Sequence, residues 1–281
     1  MITGSGFADL DVMLGGGLPS GLLSIGAGCS QGTTSFLLTA ALNIALGKDP
    51  AGVAIFAPAS TRPRVLAKLI GLESGIAPGY YSIMRPGVPD WPAVLAASSR
   101  ISSARIYVDA TPVTVDMLCE RALGVSEELR GLGQHLGLIA VDDLFLLKIA
   151  RREFRKGGPS MGEELLLRLR ELSQKVQAPV LVTFKLSRRT RDLLERDKLK
   201  KIEIPKAIAK AADAVLLLQR DSMGYNPEAN VCGFIVKNEH GKCGRLWFKA
   251  GNSGRFLDAV KTADSQVSEI EATTRYFEPE L

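Results

Sequence analysis

A glycine-containing segment at residues 27–35 is the first part of the sequence whose residue types point to chemistry. It reads AGCSQGTTS, it follows an apolar run at 22–27, and an apolar segment at 35–46 comes directly after it. Turns of this kind between a strand and a helix bind phosphate, because successive backbone N–H groups and the positive end of the helix converge on phosphate oxygens. The segment predicts a phosphate-binding loop, although a plain strand-to-helix turn would fit the same residues.

The side chains of this loop predict a nucleotide site that lacks its usual cation. Ser30 and Gly32 lie in the loop, Thr34 stands where a hydroxyl would hold Mg²⁺, and Thr33 stands where such loops carry a lysine. A threonine hydroxyl cannot extend to the terminal phosphates as an ammonium group does. We therefore expect ATP and Mg²⁺ as ligands that bind weakly or not at all.

The elements that would position this loop alternate along the chain. Short apolar runs, typical of buried parallel strands, lie at 22–27, 53–57, 106–109, 138–141, 180–183 and 214–218. Between them, apolar residues recur at helical spacing at 35–46, 61–72, 115–129 and 162–176. This alternation predicts an α/β fold of three layers, with helices on both faces of a mostly parallel sheet. Two later runs, at 233–238 and 245–250, predict a β-hairpin that extends the sheet.

Composition narrows the class of protein without identifying a partner. The net charge of +5 permits a polyanionic partner but does not require one. Four cysteines without a C-x-x-C pair, together with only two histidines, argue against a zinc site and predict free, buried thiols in a reducing cytoplasm. No signal peptide or apolar run of ~18 residues is present, so we expect a cytoplasmic protein without a membrane partner. Residues 257–281 are polar and acidic, which predicts a domain at 1–256 followed by a weakly ordered tail.

Six further segments carry distinctive patterns in a fixed order: TGSGFADLD at 3–11, GGGLP at 15–19, IYVDATP at 106–112, LGLIAVDDL at 136–144, PVLVTFKLSR at 179–188 and ADAVLLLQRD at 212–221. In order and spacing these segments resemble the C-terminal ATPase domain of the DnaB-type replicative helicases. The resemblance covers the chain as far as residue 256. It implies a RecA-like P-loop NTPase fold, ATP and Mg²⁺ as ligands, single-stranded DNA as a partner, and either a homo-oligomer or a helicase or other replisome protein as a further partner.

The resemblance also shows which catalytic positions of the family differ in this chain. Asp142 matches the aspartate that orients Mg²⁺, and Lys237 matches a nucleotide-contacting lysine of the late hairpin. The general base, however, falls on Ala59, and the arginine finger that acts on a neighbouring subunit falls on Glu239. A general base contributes ~10²–10⁴-fold to rate and an arginine finger ~10³–10⁵-fold. The resemblance therefore implies impaired or absent ATP hydrolysis.

Two residues could restore some catalysis from new positions. Asp143 follows Asp142 directly, where many other P-loop ATPases carry their catalytic acid. Lys185 falls on the family's phosphate-sensing glutamine and could supply the charge that Thr33 lacks. The alternative is that Asp143 is a solvated loop carboxylate and Lys185 a surface lysine.

Basic residues are concentrated after two of the predicted strands. The first group is Arg151, Arg152, Arg155 and Lys156, and the second is Arg188, Arg189, Arg191, Lys198, Lys200 and Lys201. In the DnaB-type helicases, which this sequence resembles, the loops after these strands track single-stranded DNA. Clustered cations suit a phosphate backbone, and binding would depend on salt and little on base sequence. A solvated basic face would have the same composition.

These observations favour a DnaB-like motor-domain homologue with impaired ATPase activity that binds DNA as an accessory or regulatory factor in replication. Two other hypotheses fit the sequence. One is an active ATP-dependent helicase that uses Asp143 and Lys185, and the other is a protein-interaction module that recruits or caps a helicase.

Overall fold

The computed structural model describes residues 2–29, 31–81, 91–147, 160–196, 201–220, 230–258 and 275–277. Its strands are β1 Ile2–Thr3, β2 Leu18–Pro19, β3 Leu22–Ala27, β4 Gly52–Phe56, β5 Ile106–Asp109, β6 Leu136–Val141, β7 Val180–Lys185, β8 Glu203–Pro205, β9 Ala214–Arg220, β10 Asn230–Asn238, β11 Gly244–Ala250, β12 Phe256–Asp258 and β13 Arg275–Phe277. Its α-helices are α1 Ala8–Met13, α2 Thr33–Leu46, α3 Arg62–Ser74, α4 Pro78–Tyr81, α5 Trp91–Ser103, α6 Val115–Gly131, α7 Met161–Val176, α8 Arg188–Glu195 and α9 Lys206–Ala211. A short 3₁₀ helix spans Leu144–Leu146.

The central sheet has nine strands within the described ranges, in the order β12-β11-β10-β9-β3-β7-β6-β4-β5. The six strands from β9 to β5 run parallel. Parallel pairing is possible because each of them is joined to the following one along the chain by a segment long enough to contain a helix. The strands β10, β11 and β12 add to β9 in antiparallel pairing. The predicted α/β fold, with a mostly parallel sheet and a hairpin extension, is confirmed.

The two faces of the sheet carry separate apolar cores, which gives the three layers. Helices α1, α2, α3 and α5 pack on one face and contribute Phe36 and Leu69, among others. Helices α6, α7, α8 and α9 pack on the other face and contribute Leu118 and Leu166. Every residue of β3 and of β6 is buried, as expected for strands that are covered on both sides.

Four phenylalanines tie the first turn of α2 to the hairpin extension. Phe36 stacks on Phe7 with ring centroids 4.8 Å apart, and it meets the edges of Phe248 and Phe256 at 5.2 and 5.3 Å. All four rings are almost completely buried. Because Phe36 lies one turn into α2, this cluster fixes the start of the helix against the sheet.

Helix α2 begins two residues before the predicted Ser35. Gly32 takes φ of 101°, in the left-handed region, and ends the loop, so that Thr33 and Thr34 already belong to the helix.

The predicted division at residue 256 stays a prediction. Strand β12 runs across it to Asp258, and β13 pairs in parallel with β8. The rest of the predicted tail lies outside the described residues.

The four cysteines are free, but the prediction that all are buried is wrong. Cys232 is buried and Cys119 and Cys243 are partly buried, whereas Cys29 is exposed because it lies in the glycine loop. Burial, followed by the nearby charge of Asp116, raises the pKa of the Cys119 thiol to about 11.

Within the described ranges, no helix combines the length and apolarity needed to cross a bilayer.

Candidate functional site

The glycine loop leaves the carboxyl end of β3 and leads directly into α2. The first backbone N–H groups of a helix have no acceptor within the helix, so those of the first turn of α2 are available to an anion. A Cβ atom at Gly32 would lie 3.0 Å from Cζ of Phe256, and the left-handed φ of this residue also favours glycine. Ser30, predicted to contact nucleotide, lies outside the described residues.

Three side chains from three different elements meet beside this loop. The Thr34 hydroxyl, from α2, donates to the Asp142 carboxylate and lies 3.0 Å from both of its oxygens. The Thr183 hydroxyl, from β7, donates to Asp142 Oδ1 at 3.0 Å. They meet because β3, β7 and β6 are parallel neighbours whose carboxyl ends lie at one edge of the sheet. A carboxylate beside a hydroxyl offers the oxygen ligands that Mg²⁺ prefers.

The two candidates for relocated catalysis contact each other. Lys185 Nζ lies 3.3 Å from Asp143 Oδ2, and the lysine side chain is 69% exposed. Asp143 takes φ of 72°, and its N–H donates to Thr183 Oγ1 at 2.8 Å. Its carboxylate also accepts from the N–H of Phe145, which caps the 3₁₀ helix. Each residue therefore has a partner within the fold, and their catalytic roles stay predictions.

Ala59 lines a cleft of about 660 Å³ next to Asp142. Its methyl group cannot accept a proton, so this position cannot serve as a base. The exposed cations Arg64 and Lys68 line the same cleft. Ser60 is the hydroxyl nearest in sequence to Ala59, and it also borders the cleft.

Lys237 and Glu239 lie far from the glycine loop of their own chain. Lys237 is paired with Val215, near the amino end of β9. The glycine loop instead follows the carboxyl end of β3, which runs parallel to β9. Lys237 Nζ donates to the Ala212 carbonyl at 2.5 Å and to Glu239 Oε1 at 2.7 Å. Partial burial alone would raise the pKa of Glu239, but the hydrogen bond and charge of Lys237, together with Arg170, lower it below its ordinary value. A nucleotide contact of Lys237 would therefore require a second copy of the chain.

Two structural features escaped prediction from the sequence, one at the site and one at the opposite end of β3. Thr183 connects Asp142 to Asp143, and the only signal for it was one polar residue within an apolar run. Asp213 is 5% exposed and accepts from the Leu22 N–H at 2.6 Å and from Arg170 Nη2 at 2.6 Å. This carboxylate anchors the beginning of β3, which leads to the glycine loop.

The described part of the predicted DNA-binding surface lies on α8 and just before β8. Arg188, Arg189 and Lys201 are exposed, and Arg189 is 3.6 Å from a carboxylate oxygen of Glu203. Arg191 differs from them, because it is partly buried and its side chain lies against the glycine loop. The other predicted DNA contacts lie outside the described residues: Arg151, Arg152, Arg155, Lys156, Lys198 and Lys200.

Comparison with known proteins places the fold and the sequence in the same group. A family model described as DnaB-like helicase C terminal domain matches residues 3–256. The replicative DNA helicase DnaB of Geobacillus stearothermophilus is 29% identical over 254 residues, which are 87% of this chain and 54% of that protein. The chain therefore spans about half the length of this relative. The replicative DNA helicase DnaB of Nostoc is 32% identical over 188 residues, which are 65% of this chain and 20% of that protein.

Solved structures show the same architecture. One structure, of a single ATPase domain, superposes with a TM-score of 0.79 and 21% identity, covering 92% of each chain. A DnaB-like replicative helicase whose interactions with primase have been determined superposes with a TM-score of 0.78 and 21% identity, covering 92% of this chain and 62% of that one.

Replacing Thr183 by valine should test whether the three-residue contact supports the fold. The isosteric change removes the donor to Asp142 and leaves the Asp143 N–H without its acceptor, so we expect the free energy of unfolding to fall by about 1–3 kcal/mol. Urea denaturation of the unchanged protein and of Thr183→Val measures the difference in their free energies of unfolding. Thr61→Val is the matched control, because Thr61 is exposed and its side chain makes no cap hydrogen bond. Equal stability of the two variants would show that the Thr183 contacts contribute nothing.

Proposed function

Because this chain belongs to the DnaB-like helicase C-terminal domain family, we propose that it binds nucleotide and DNA as an accessory or regulatory factor in DNA replication, with slow or absent ATP hydrolysis. One observation carries this proposal. Thr34 and Asp142 bring together a hydroxyl and a carboxylate, which are oxygen ligands of the kind that Mg²⁺ prefers, whereas Thr33, Ala59 and Glu239 occupy the positions where the DnaB-type helicases hold a lysine, a base and an arginine.

The residues around the loop fit Mg-ATP. The first turn of α2 offers backbone N–H groups to the phosphates, and the left-handed Gly32 shapes the loop for their approach. Thr34 and Asp142 would hold the metal through a hydroxyl and a carboxylate. Mg²⁺ bound there would neutralise charge on the terminal phosphates. These groups support the proposal that the site binds Mg-ATP.

Hydrolysis depends on groups that the site lacks. A water molecule attacking the terminal phosphate needs an acceptor for its proton, and the methyl group of Ala59 offers none. Glu239 would bring a negative charge to a neighbouring subunit's phosphates where an arginine would stabilise them. Each loss reduces the rate by orders of magnitude, ~10²–10⁴ for the base and ~10³–10⁵ for the arginine, although the two effects do not simply add.

An active helicase is the second candidate function, because Asp143 follows Asp142 directly and holds Lys185 at 3.3 Å. For this function Lys185 would have to leave Asp143 and turn toward the phosphates. Alanine substitution of either residue would then abolish turnover, and turnover that is unchanged in both variants would exclude this function.

The partner is proposed from two observations. Lys237 and Glu239 lie away from their own glycine loop, where they could face a second copy of the chain or a related helicase. One similar helicase structure reports interactions with primase, so a replisome protein is the other partner class.

Isothermal calorimetry with Mg-ATP, run beside a phosphate-release assay on the same sample, tests the nucleotide proposal. We expect measurable binding, and we expect Asp142→Asn to weaken it by roughly 10- to 100-fold because a charged metal ligand is lost. The exposed Asp49→Asn serves as the control. Phosphate release at the rate of a replicative DnaB assayed in parallel would contradict the proposal.

Fluorescence anisotropy with labelled oligo(dT) and oligo(dA) tests the DNA proposal. We expect similar affinities for both strands and a steep loss of affinity with added salt, since the contacts are to phosphates. The double substitution Arg188→Ala/Arg189→Ala should reduce the slope of log K against log salt by roughly 1 to 1.5, at ~0.7 for each single-strand phosphate contact. Arg130→Ala, on an exposed part of α6, should leave the slope unchanged. Binding that is absent, or insensitive to salt, would favour the protein-interaction hypothesis instead.

A further inference from the structure

The side chain of Arg191 lies across the beginning of the glycine loop. A Cβ atom added to Gly28 would come within 2.4 Å of Arg191 Cδ and 3.3 Å of its Cγ. Only glycine at position 28 therefore lets the aliphatic part of this arginine approach so closely. Arg191 belongs to α8, in the first helix turn after the exposed Arg188 and Arg189, but it points to a different surface of the molecule.

The Arg191 guanidinium contains one buried donor that has no acceptor in the described part of the chain. Its Nε is buried and makes no hydrogen bond there, and none of the ion pairs in those ranges includes Arg191. Buried polar groups in folded proteins are nearly always hydrogen-bonded, so this donor calls for a partner. The planar guanidinium has the geometry that recognises phosphate oxygens.

A second arginine faces the other glycine of the loop. A Cβ atom at Gly32 would lie 3.7 Å from Nη2 of Arg220, which is the last residue of β9. The buried Nε of Arg220 also has no hydrogen-bond partner among the described residues. Two arginine side chains from outside the loop thus lie close to its two glycines.

We propose that Arg191 provides the phosphate-contacting cation that Thr33 cannot provide, and that its ligand is the polyphosphate of a nucleotide. The inference rests on the proposed nucleotide binding. It assigns the positive charge that the glycine loop lacks at Thr33 to a residue of α8. Lys185 is a weaker candidate for this charge, because it is exposed and paired with Asp143. The proposal also removes Arg191 from the group of predicted DNA contacts.

Calorimetric titration of the full chain with Mg-ATP tests the proposal in four proteins. Arg191→Met keeps an aliphatic stem over Gly28 but removes the charge, and should weaken binding by roughly 10- to 100-fold. Arg191→Lys retains the charge and should keep most of the affinity. Arg130→Ala, an exposed arginine of α6, should bind as the unchanged protein does.

Adding Thr33→Lys to Arg191→Met should then recover the lost affinity, because the charge returns from within the loop. A structural role for Arg191 would not be rescued in this way, so failure of the rescue would overturn the proposal. Urea denaturation of each variant confirms that folding is intact.

The remaining outcomes separate this inference from the proposed function. If the unchanged protein binds Mg-ATP and Arg191→Met binds equally well, the inference is wrong and nucleotide binding stands. If Arg191→Met loses affinity for oligo(dT) but not for Mg-ATP, Arg191 belongs to the DNA surface and the inference is likewise wrong. If the unchanged protein binds no Mg-ATP, both proposals fail together.

Discussion

The contact of Thr34 and Thr183 with the Asp142 carboxylate is the feature on which the rest of the site depends. It forms because β3, β7 and β6 are parallel neighbours, so that the segments following them meet at one edge of the sheet. The carboxylate accepts hydrogen bonds from both hydroxyls at 3.0 Å. The bond from Thr34 fixes the start of α2 relative to β6. The phenylalanine cluster around Phe36 holds the same helix from the other side. The two contacts together position the first turn of α2, whose N–H groups belong to the proposed phosphate site.

The site separates the chemistry of holding a nucleotide from that of cleaving it. In the proposed function, holding requires backbone donors, a metal-binding pair and a cation, which we assign to the glycine loop, to Thr34 with Asp142, and to Arg191 of α8. Cleavage requires a base at the position of Ala59 and a cation from another subunit at the position of Glu239. Both are replaced by residues that cannot perform these roles. The proposed function is therefore nucleotide binding with slow or absent hydrolysis.

The sequence predicted the six parallel strands, the hairpin, four of the helices and the glycine loop because each depends on local pattern. The buried strands appear as apolar runs, and the order of segments was sufficient to place Thr34 and Asp142 in one site. What it did not predict depends on side chains that meet across long distances in sequence. Thr183 looked like one polar residue in a strand, Lys185 and Asp143 were separate candidates rather than an ion pair, and Arg191 looked like part of a basic run. The helix start at Thr33 was missed because it depends on the backbone conformation of Gly32.

The most direct test of the account is to restore the three missing groups together and to measure phosphate release. The triple variant Thr33→Lys/Ala59→Glu/Glu239→Arg should hydrolyse ATP at least ~100-fold faster than the unchanged protein, since a base alone contributes ~10²–10⁴-fold. Its fold, judged by urea denaturation, should be intact. If the unchanged protein already hydrolyses ATP as fast as the triple variant, these three positions do not limit catalysis and the account is contradicted.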